Sequence, residues 1–207
     1  MQTPNYKITL VNDLSIELQP GEGLLIMGAS GCGKSSILRA IAGLWNSGTG
    51  TIYRPPLAEI LFLPQRPYLI LGSLRDQLLY PRTDLNISDA KIYQALEEVN
   101  LPDLAARFGG LDIVQNWDSV LSMGEQQRVA FARLLLTKPR YTILDEATSA
   151  LDVENEQGLY QHLQTLSTTY ISVGHRPTLL QYHHQVLEVF GDQTWQVSDR
   201  ATYKSEA

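Results

Sequence analysis

The stretch that decides the fold is Gly28-Ala-Ser-Gly-Cys-Gly-Lys-Ser35, which follows the apolar run Leu24-Leu-Ile-Met27. It fits G-x-x-x-x-G-K-[ST], the pattern of a phosphate-binding loop between a buried strand and a helix. Glycines allow the backbone to bend so that its N–H groups point inward, at the positive end of the following helix. The stretch therefore predicts an α/β fold that binds a phosphorylated nucleotide.

The residues of this loop are the first candidates for ligand contacts. Lys34 is expected to reach the β- and γ-phosphates, and the Ser35 hydroxyl is expected to hold Mg²⁺. The other positions expected to line the nucleotide are Gly28, Ala29, Ser30, Gly31, Cys32, Gly33 and Ser36. Tyr6 could stack on an adenine ring, and a surface aromatic near the terminus explains it equally well.

Length, composition and charge limit the class of protein. The 207 residues, 43% of them hydrophobic, are enough to bury a full core and suit one domain. The net charge of −6 argues against a nucleic-acid partner. No run of 18 apolar residues occurs, and Met-Gln-Thr-Pro-Asn at the start is not a signal-peptide pattern. We expect the chain by itself to be soluble and intracellular.

Short strands are expected on both sides of the loop. Residues 8–11 and 14–18 predict an antiparallel pair joined by Asn12-Asp13, because apolar and polar residues alternate in the second segment. Residues 51–53 predict another short strand. The run Ile60-Leu-Phe-Leu63 predicts a buried strand that places Gln65 at its carboxyl end, where open α/β sheets bind ligands.

Residues 73–121 have a different pattern, which predicts helices at 74–79, 88–99 and 101–108. Ser88 is a candidate N-cap, and Gly109-Gly110 is expected to end the last of these helices. The stretch is longer than an ordinary connection between strands. It therefore predicts a mostly helical insertion in the α/β sheet.

Further elements follow the insertion. Ser122 and Glu125 form a candidate capping box ahead of a helix at 126–137. The strand predicted at 141–144 ends in Asp145-Glu146, and Asp145 is expected to support Mg²⁺. A helix at 153–166 and a buried strand at 170–173 precede His175. The polar tail after Trp195 is expected to be loose.

Polar residues thus follow three predicted strands, as Gln65, Asp145-Glu146 and His175. The carboxyl ends of parallel strands meet at the edge that also carries the phosphate loop. One polar site at this edge explains the placement better than separate coincidences do.

Taken together, these motifs resemble the nucleotide-binding domain of ABC transporters, in the right order and over nearly the whole chain. Gln65 resembles the Q-loop glutamine and His175 the switch histidine. The stretch that resembles the family's signature is Leu121-Ser-Met-Gly-Glu-Gln-Gln-Arg128, and the stretch that resembles its D-loop is Ser149-Ala-Leu-Asp152. The segment Phe62-Leu-Pro-Gln-Arg-Pro-Tyr68 is similar to subfamily D, the peroxisomal and lysosomal half-transporters, and their bacterial relatives.

The resemblance implies a P-loop NTPase fold. Its core is a mostly parallel sheet with an N-terminal antiparallel β part, and a helical subdomain is inserted before the signature. Residues 1–207 are then one nucleotide-binding domain, with an ATP-binding core at 1–72 and 122–207 and the helical subdomain at about 73–121. The transmembrane domain is absent from this chain and is expected on the same polypeptide in the full-length protein. The expected location is the cytoplasmic face of a membrane.

The resemblance also implies an ATPase in which two copies pair head to tail on ATP. The implied catalytic residues are Glu146, His175, Lys34 and Gln65, and the implied Mg²⁺ ligands are Ser35, Gln65 and Asp145. Ser122 and Gly124 would contact the ATP of the other copy.

The signature of this chain departs from the usual Leu-Ser-Gly-Gly-Gln, because it has Met123 and Glu125. A rival function is a regulatory module that closes on ATP and hydrolyses it weakly or not at all. The presence of both Glu146 and His175 favours the active ATPase.

Overall fold

The computed structural model describes residues 1–2 and 9–203, which divide into two compact units. The first, here called the sheet unit, comprises Met1–Phe62, Arg140–Glu146 and Ser167–Ala207 within the described range. The second, here called the helical unit, comprises Leu63–Pro139 and Ala147–Leu166.

The described residues form eight strands and seven α-helices. In order they are β1 (Gly23–Gly28), α1 (Lys34–Ile41), β2 (Ile60–Leu63), β3 (Gly72–Ser73), α2 (Leu74–Leu79), α3 (Asp89–Glu98), α4 (Leu104–Phe108), β4 (Val114–Gln115), α5 (Trp117–Val120), α6 (Met123–Thr137), β5 (Tyr141–Asp145), α7 (Val153–Thr165), β6 (Thr169–Val173), β7 (Gln185–Val189) and β8 (Trp195–Asp199). Short 3-10 helices span Leu57–Glu59 and Pro177–Tyr182. The predicted α/β class is confirmed.

The main sheet has six strands in the order β2-β5-β6-β1-β7-β8. Strand β1 pairs in parallel with β6 and β7, β5 pairs in parallel with β6, and β8 closes the sheet antiparallel to β7. Val173 of β6 lies in register with Ile26 on one side and with Asp145 on the other. The carboxyl ends of β1, β5 and β6 therefore meet at one edge.

The core of the sheet unit explains why β1 is central. Leu24, Leu25 and Ile26 are buried, as expected for a parallel strand covered on both faces. Helix α1 packs against β1, β5 and β6 through its buried residues Ile37 and Leu38. The start of this helix is thereby fixed next to the end of β1.

The strands predicted at 8–11 and 14–18 are not formed by the described residues 9–11 and 14–18. Thr9 makes an isolated antiparallel bridge to Gln2, and residues 10–19 form no strand. The alternation at 14–18 nevertheless predicts burial correctly, because its apolar residues are partly buried against the core while the polar ones between them are exposed. Asn12, at the turn between the predicted strands, bonds instead to Gln193, and its carbonyl accepts the Trp195 indole N–H. The pattern identified the covered face, and among residues 1–2 and 9–203 no strand pairs with residues 14–18.

Two expectations about segments near the ends of the sheet were wrong. Residues 51–53 form no strand and are exposed, and Pro55-Pro56 just after them offers no N–H donors for a ladder. The part of the tail up to Asp199 is not loose, because Trp195–Asp199 pairs with Gln185–Val189. Neither of these two paired strands was predicted from the sequence.

In the helical unit, α2 and α3 pack against α6. The helices predicted in this region are confirmed, with bounds a few residues shorter at α3 and α4. Gly109 ends α4 with φ 91°, and Ser88 is the N-cap of α3 without a side-chain bond. The capping box of Ser122 and Glu125 is confirmed at the start of α6. The two-residue β3–β4 ladder was not predicted.

Within residues 1–2 and 9–203, no helix combines the length and the apolar character that crossing a membrane requires.

The same substitution at two glycines should change stability in opposite directions. Gly28 has φ +139°, and an added Cβ would lie 2.2 Å from the Val189 carbonyl oxygen. We therefore expect Gly28→Ala to lower the free energy of unfolding by about 2 kcal/mol or more. Gly158 lies inside α7 with no atom within 4 Å of an added Cβ. Gly158→Ala should therefore raise the free energy of unfolding by about 0.5–1 kcal/mol. Urea titration followed by circular dichroism measures both, and similar losses in the two variants would contradict this account.

Candidate functional site

The phosphate loop runs from the end of β1 to the start of α1, the context that its motif requires. Gly28, Gly31 and Gly33 have φ values of 139°, 81° and 108°. Gly33 is also the N-cap of α1. These left-handed conformations favour glycine, so the loop bends sharply where the sequence permits it.

Lys34 points into this loop. Its side chain is almost fully buried, and its Nζ donates to the carbonyl oxygens of Gly28 (2.9 Å) and Ala29 (2.7 Å). Both of these partners are neutral. The ammonium charge is thus held within the loop and is not balanced by either acceptor, which favours an anion there.

Ser35 and Asp145 are joined across the end of the sheet. The Ser35 hydroxyl donates to Asp145 Oδ1 at 2.8 Å, and Asp145 is the last residue of β5. A hydroxyl and a carboxylate are hard oxygen donors of the kind that Mg²⁺ uses together with substrate phosphates. The donor set therefore fits Mg²⁺ bound jointly with a nucleotide.

Glu146 and His175 form the other polar pair at this edge. Glu146 Oε1 lies 3.0 Å from His175 Nε2, and the Glu146 backbone N–H donates to the Val173 carbonyl. Glu146 has φ 50°, a left-handed conformation that is uncommon for a residue other than glycine and is concentrated at functional sites. The sheet unit thus brings together four predicted site residues: Ser35, Asp145, Glu146 and His175.

The remaining predicted residues are distributed as follows. Ala29, Ser30 and Gly31 are exposed on the loop, and Cys32 is buried beneath it. Gln65 is exposed in the helical unit, two residues beyond β2. In the same unit, Ser122 is the N-cap of α6, and Gly124 lies in its first turn. Tyr6 lies outside the described residues. The roles assigned to these residues stay predictions.

Gln127 is a residue of the helical unit for which no sequence motif predicts a role. It is fully buried, and its Nε2 donates to the Gln65 carbonyl at 2.8 Å and to Ser149 Oγ at 3.3 Å. Its Oε1 accepts the Ala150 N–H at 3.0 Å. One amide therefore joins the segment of Gln65 to the segment 149–150. Gln127 belongs to the stretch Leu121–Arg128 that resembles the signature, but that resemblance does not indicate its partners.

The comparisons with known proteins agree with this arrangement. The family model for ABC transporters matches residues 11–149. The chain belongs to the ABC transporter family. It is an ATP-binding domain of that family, an ATPase.

The relatives include members of the subfamily that the sequence resembles. The chain is 62% identical to an uncharacterised ABC transporter ATP-binding protein of Synechocystis sp., over 96% of this chain and 30% of the relative. It is 42% identical to the chloroplastic ABC transporter D family member 2 of Arabidopsis thaliana, over 96% and 35% of the two chains. It is 43% identical to the lysosomal cobalamin transporter of Mus musculus, over 94% of this chain and 34% of the relative.

Among solved structures, a bacterial Atm1-family ABC exporter with ATP bound matches with a TM-score of 0.78 and 27% identity, over 93% of this chain and 36% of that chain. The predicted resemblance to ABC transporters and to subfamily D is confirmed. The chain spans about a third of the length of these relatives.

Removing the Gln127 amide should loosen the segments that it joins. Gln127→Leu keeps the apolar part of the side chain but deletes three hydrogen bonds, so we expect a loss of about 1–3 kcal/mol in the free energy of unfolding. Hydrogen exchange at the Ala150 amide should become faster.

Gln94→Leu is the matched control, because Gln94 is an exposed residue of α3 that bonds to Glu98. It should change stability by less than about 0.5 kcal/mol. Unchanged Ala150 exchange in Gln127→Leu would show that the amide does not hold this segment.

Proposed function

We propose that this ATPase domain powers transport by a membrane domain and that two copies pair head to tail when they bind ATP. The observation that supports hydrolysis most directly is the Glu146–His175 pair, placed at the same sheet edge as the Ser35–Asp145 bond. The proposed domain organisation is one nucleotide-binding domain, with an ATP-binding core at 1–72 and 122–207 and a helical subdomain at about 73–121.

Transfer of a phosphoryl group to water requires mainly charge neutralisation and correct placement of the water. In the proposed site, the Lys34 ammonium and the loop N–H groups bind the phosphate oxygens. Mg²⁺, when held by Ser35, Gln65 and Asp145, supplies further positive charge against the β- and γ-phosphates. The protein residues thus fix the ground-state geometry and attract the charge that develops during the reaction.

Glu146 is proposed to orient and polarise the attacking water. Its carboxylate is held by the contact with His175, and its left-handed backbone is held by the N–H bond to Val173. His175 is half exposed, so its ring is accessible to a γ-phosphate as well as to Glu146. This geometry favours an active ATPase over a regulatory module that binds ATP without hydrolysing it.

The start of α6 supports the proposal of head-to-tail pairing. Ser122 is exposed there. The start of a helix attracts anions, because its first-turn N–H groups are free to donate and the positive end of the helix dipole lies there. Ser122 and Gly124 are proposed to contact the γ-phosphate bound by the other copy.

The membrane domain is proposed to contact the segment that follows Gln65. In this segment Tyr68 is 64% exposed and Leu71 is 94% exposed, and Val114 of the β3–β4 ladder is exposed nearby. Exposed apolar side chains grouped in this way are typical of an interaction surface. The full-length protein is proposed to carry the membrane domain on the same polypeptide, with this domain at the cytoplasmic face.

The role of Glu146 is tested by Glu146→Gln. The amide preserves the shape but removes the charge that polarises water, so we expect ATP turnover to fall by at least about 10²-fold. Nucleotide affinity should remain close to that of the unmodified protein. Steady-state ATPase rates and titration with a fluorescent ATP analogue separate the two effects. Unchanged turnover would assign the role to another residue, and negligible turnover in the unmodified chain would favour the regulatory module.

Pairing is tested by the concentration dependence of activity and by Ser122→Arg. Specific ATPase activity should rise with protein concentration, because an isolated domain lacks a membrane partner that keeps the two copies close. Ser122→Arg should abolish most turnover and leave ATP binding by the monomer nearly intact.

Ser88→Arg is the matched control, since Ser88 is the exposed N-cap of α3 and makes no side-chain cap bond. It should retain turnover. Constant specific activity in a verified monomer, together with a silent Ser122→Arg, would contradict head-to-tail pairing.

A further inference from the structure

The signature carries a negative charge at a position where the family usually has an amide. Glu125, in the first turn of α6, is mostly buried. Its Oε2 accepts the Ser122 backbone N–H at 2.8 Å, and its own N–H donates to Ser122 Oγ at 3.3 Å. The carboxylate is therefore in direct contact with the residue proposed to meet the phosphate of a second copy.

The other oxygen of this carboxylate is paired with an arginine of α4. Arg107 Nη2 donates to Glu125 Oε1 at 2.6 Å. The adjacent Phe108 packs edge-on against Trp117 with ring centroids 5.2 Å apart, and the buried Trp117 donates its indole N–H to the Gly72 carbonyl at 2.9 Å. The packing of Phe108 against Trp117 thus holds the end of α4, and with it Arg107, next to Glu125.

Glu125 carries its charge at neutral pH. Burial alone would raise the pKa of its carboxyl, but the hydrogen bond from the Ser122 N–H and the Arg107 guanidinium hold the pKa below its ordinary value. A carboxylate beside Ser122 repels a γ-phosphate brought there by another copy unless a cation balances it. A glutamine at the same position needs no such balance.

We propose that Arg107 is a positioning residue for ATP-dependent pairing, because its guanidinium neutralises Glu125 and lets the Ser122 end of α6 receive the γ-phosphate of a second copy's ATP. This inference rests on the head-to-tail pairing proposed above. It assigns to α4 the counter-charge that the glutamate of this signature requires. Arg107 itself contacts Glu125 and acts on the phosphate through it.

The experiment compares self-association of three variants in a Glu146→Gln background, which is expected to retain ATP. These are Arg107→Gln, Glu125→Gln and the double variant. Sedimentation with Mg²⁺-ATP at low and high salt gives the dissociation constant of the pair. Arg82→Gln is the matched control, since Arg82 forms an exposed ion pair with Asp84 in the same unit.

Arg107→Gln should weaken pairing by about tenfold at low salt. The deficit should shrink as salt is added, since screening weakens the repulsion that the uncompensated carboxylate exerts. The double variant should pair within about threefold of Glu125→Gln alone, because no charge then remains to be balanced. Arg82→Gln should pair as the background does, and ATP binding by the monomers should be the same in all.

Two results would overturn the inference while leaving the pairing intact. One is unchanged pairing in Arg107→Gln. The other is a double variant as weak as Arg107→Gln, which would show that the ion pair only holds α4 against α6. If the Glu146→Gln background itself does not associate on adding ATP, head-to-tail pairing is wrong, and the inference falls with it.

Discussion

The arrangement of the site depends on the parallel register of β1, β6 and β5. Val173 is paired with Ile26 on one side and Asp145 on the other, so the three strands end side by side. The phosphate loop, the Asp145-Glu146 carboxylates and His175 all follow these ends, and the Ser35–Asp145 bond of 2.8 Å joins two of them. The β1 side chains are packed in the core, and a slip of one residue would turn each of them to the opposite face of the sheet. Core packing thereby fixes the spacing of the polar groups.

The sequence predicted well those features that depend on residues close together in the chain. The bend of the phosphate loop needs glycine at particular positions, and the capping box needs Ser122 and Glu125 three residues apart. Strands depend on partners that are distant in sequence, and here the predictions were less successful. The alternation at 14–18 identified a half-buried face, but no strand of the described residues pairs with it. Trp195–Asp199, in contrast, forms a strand because β7 lies beside it. β-propensity reflects such context more than it reflects the residues themselves.

Side-chain contacts between distant parts of the chain were predicted least well. Gln127 joins groups that lie 62 and 23 residues away along the chain, and Arg107 reaches Glu125 from another helix 18 residues away. Neither residue belongs to a motif that states its partner. The sequence showed that Glu125 differs from the usual signature residue, but only the structure shows that Arg107 of α4 forms an ion pair with it. An unusual residue in a motif is therefore a reason to search the structure for a compensating group.

Left-handed backbone conformations occur both in the phosphate loop and at Glu146, but their energetic cost differs. In the phosphate loop, the left-handed positions are glycines, for which this conformation costs little. Glu146 has φ 50° as well, at a cost of roughly 1–2 kcal/mol for a residue with a side chain. Glycine would remove that cost, but it has no carboxylate to set against His175. The bond from the Glu146 N–H to Val173 helps to hold the strained conformation, so the register of the sheet that places the carboxylate also stabilises it.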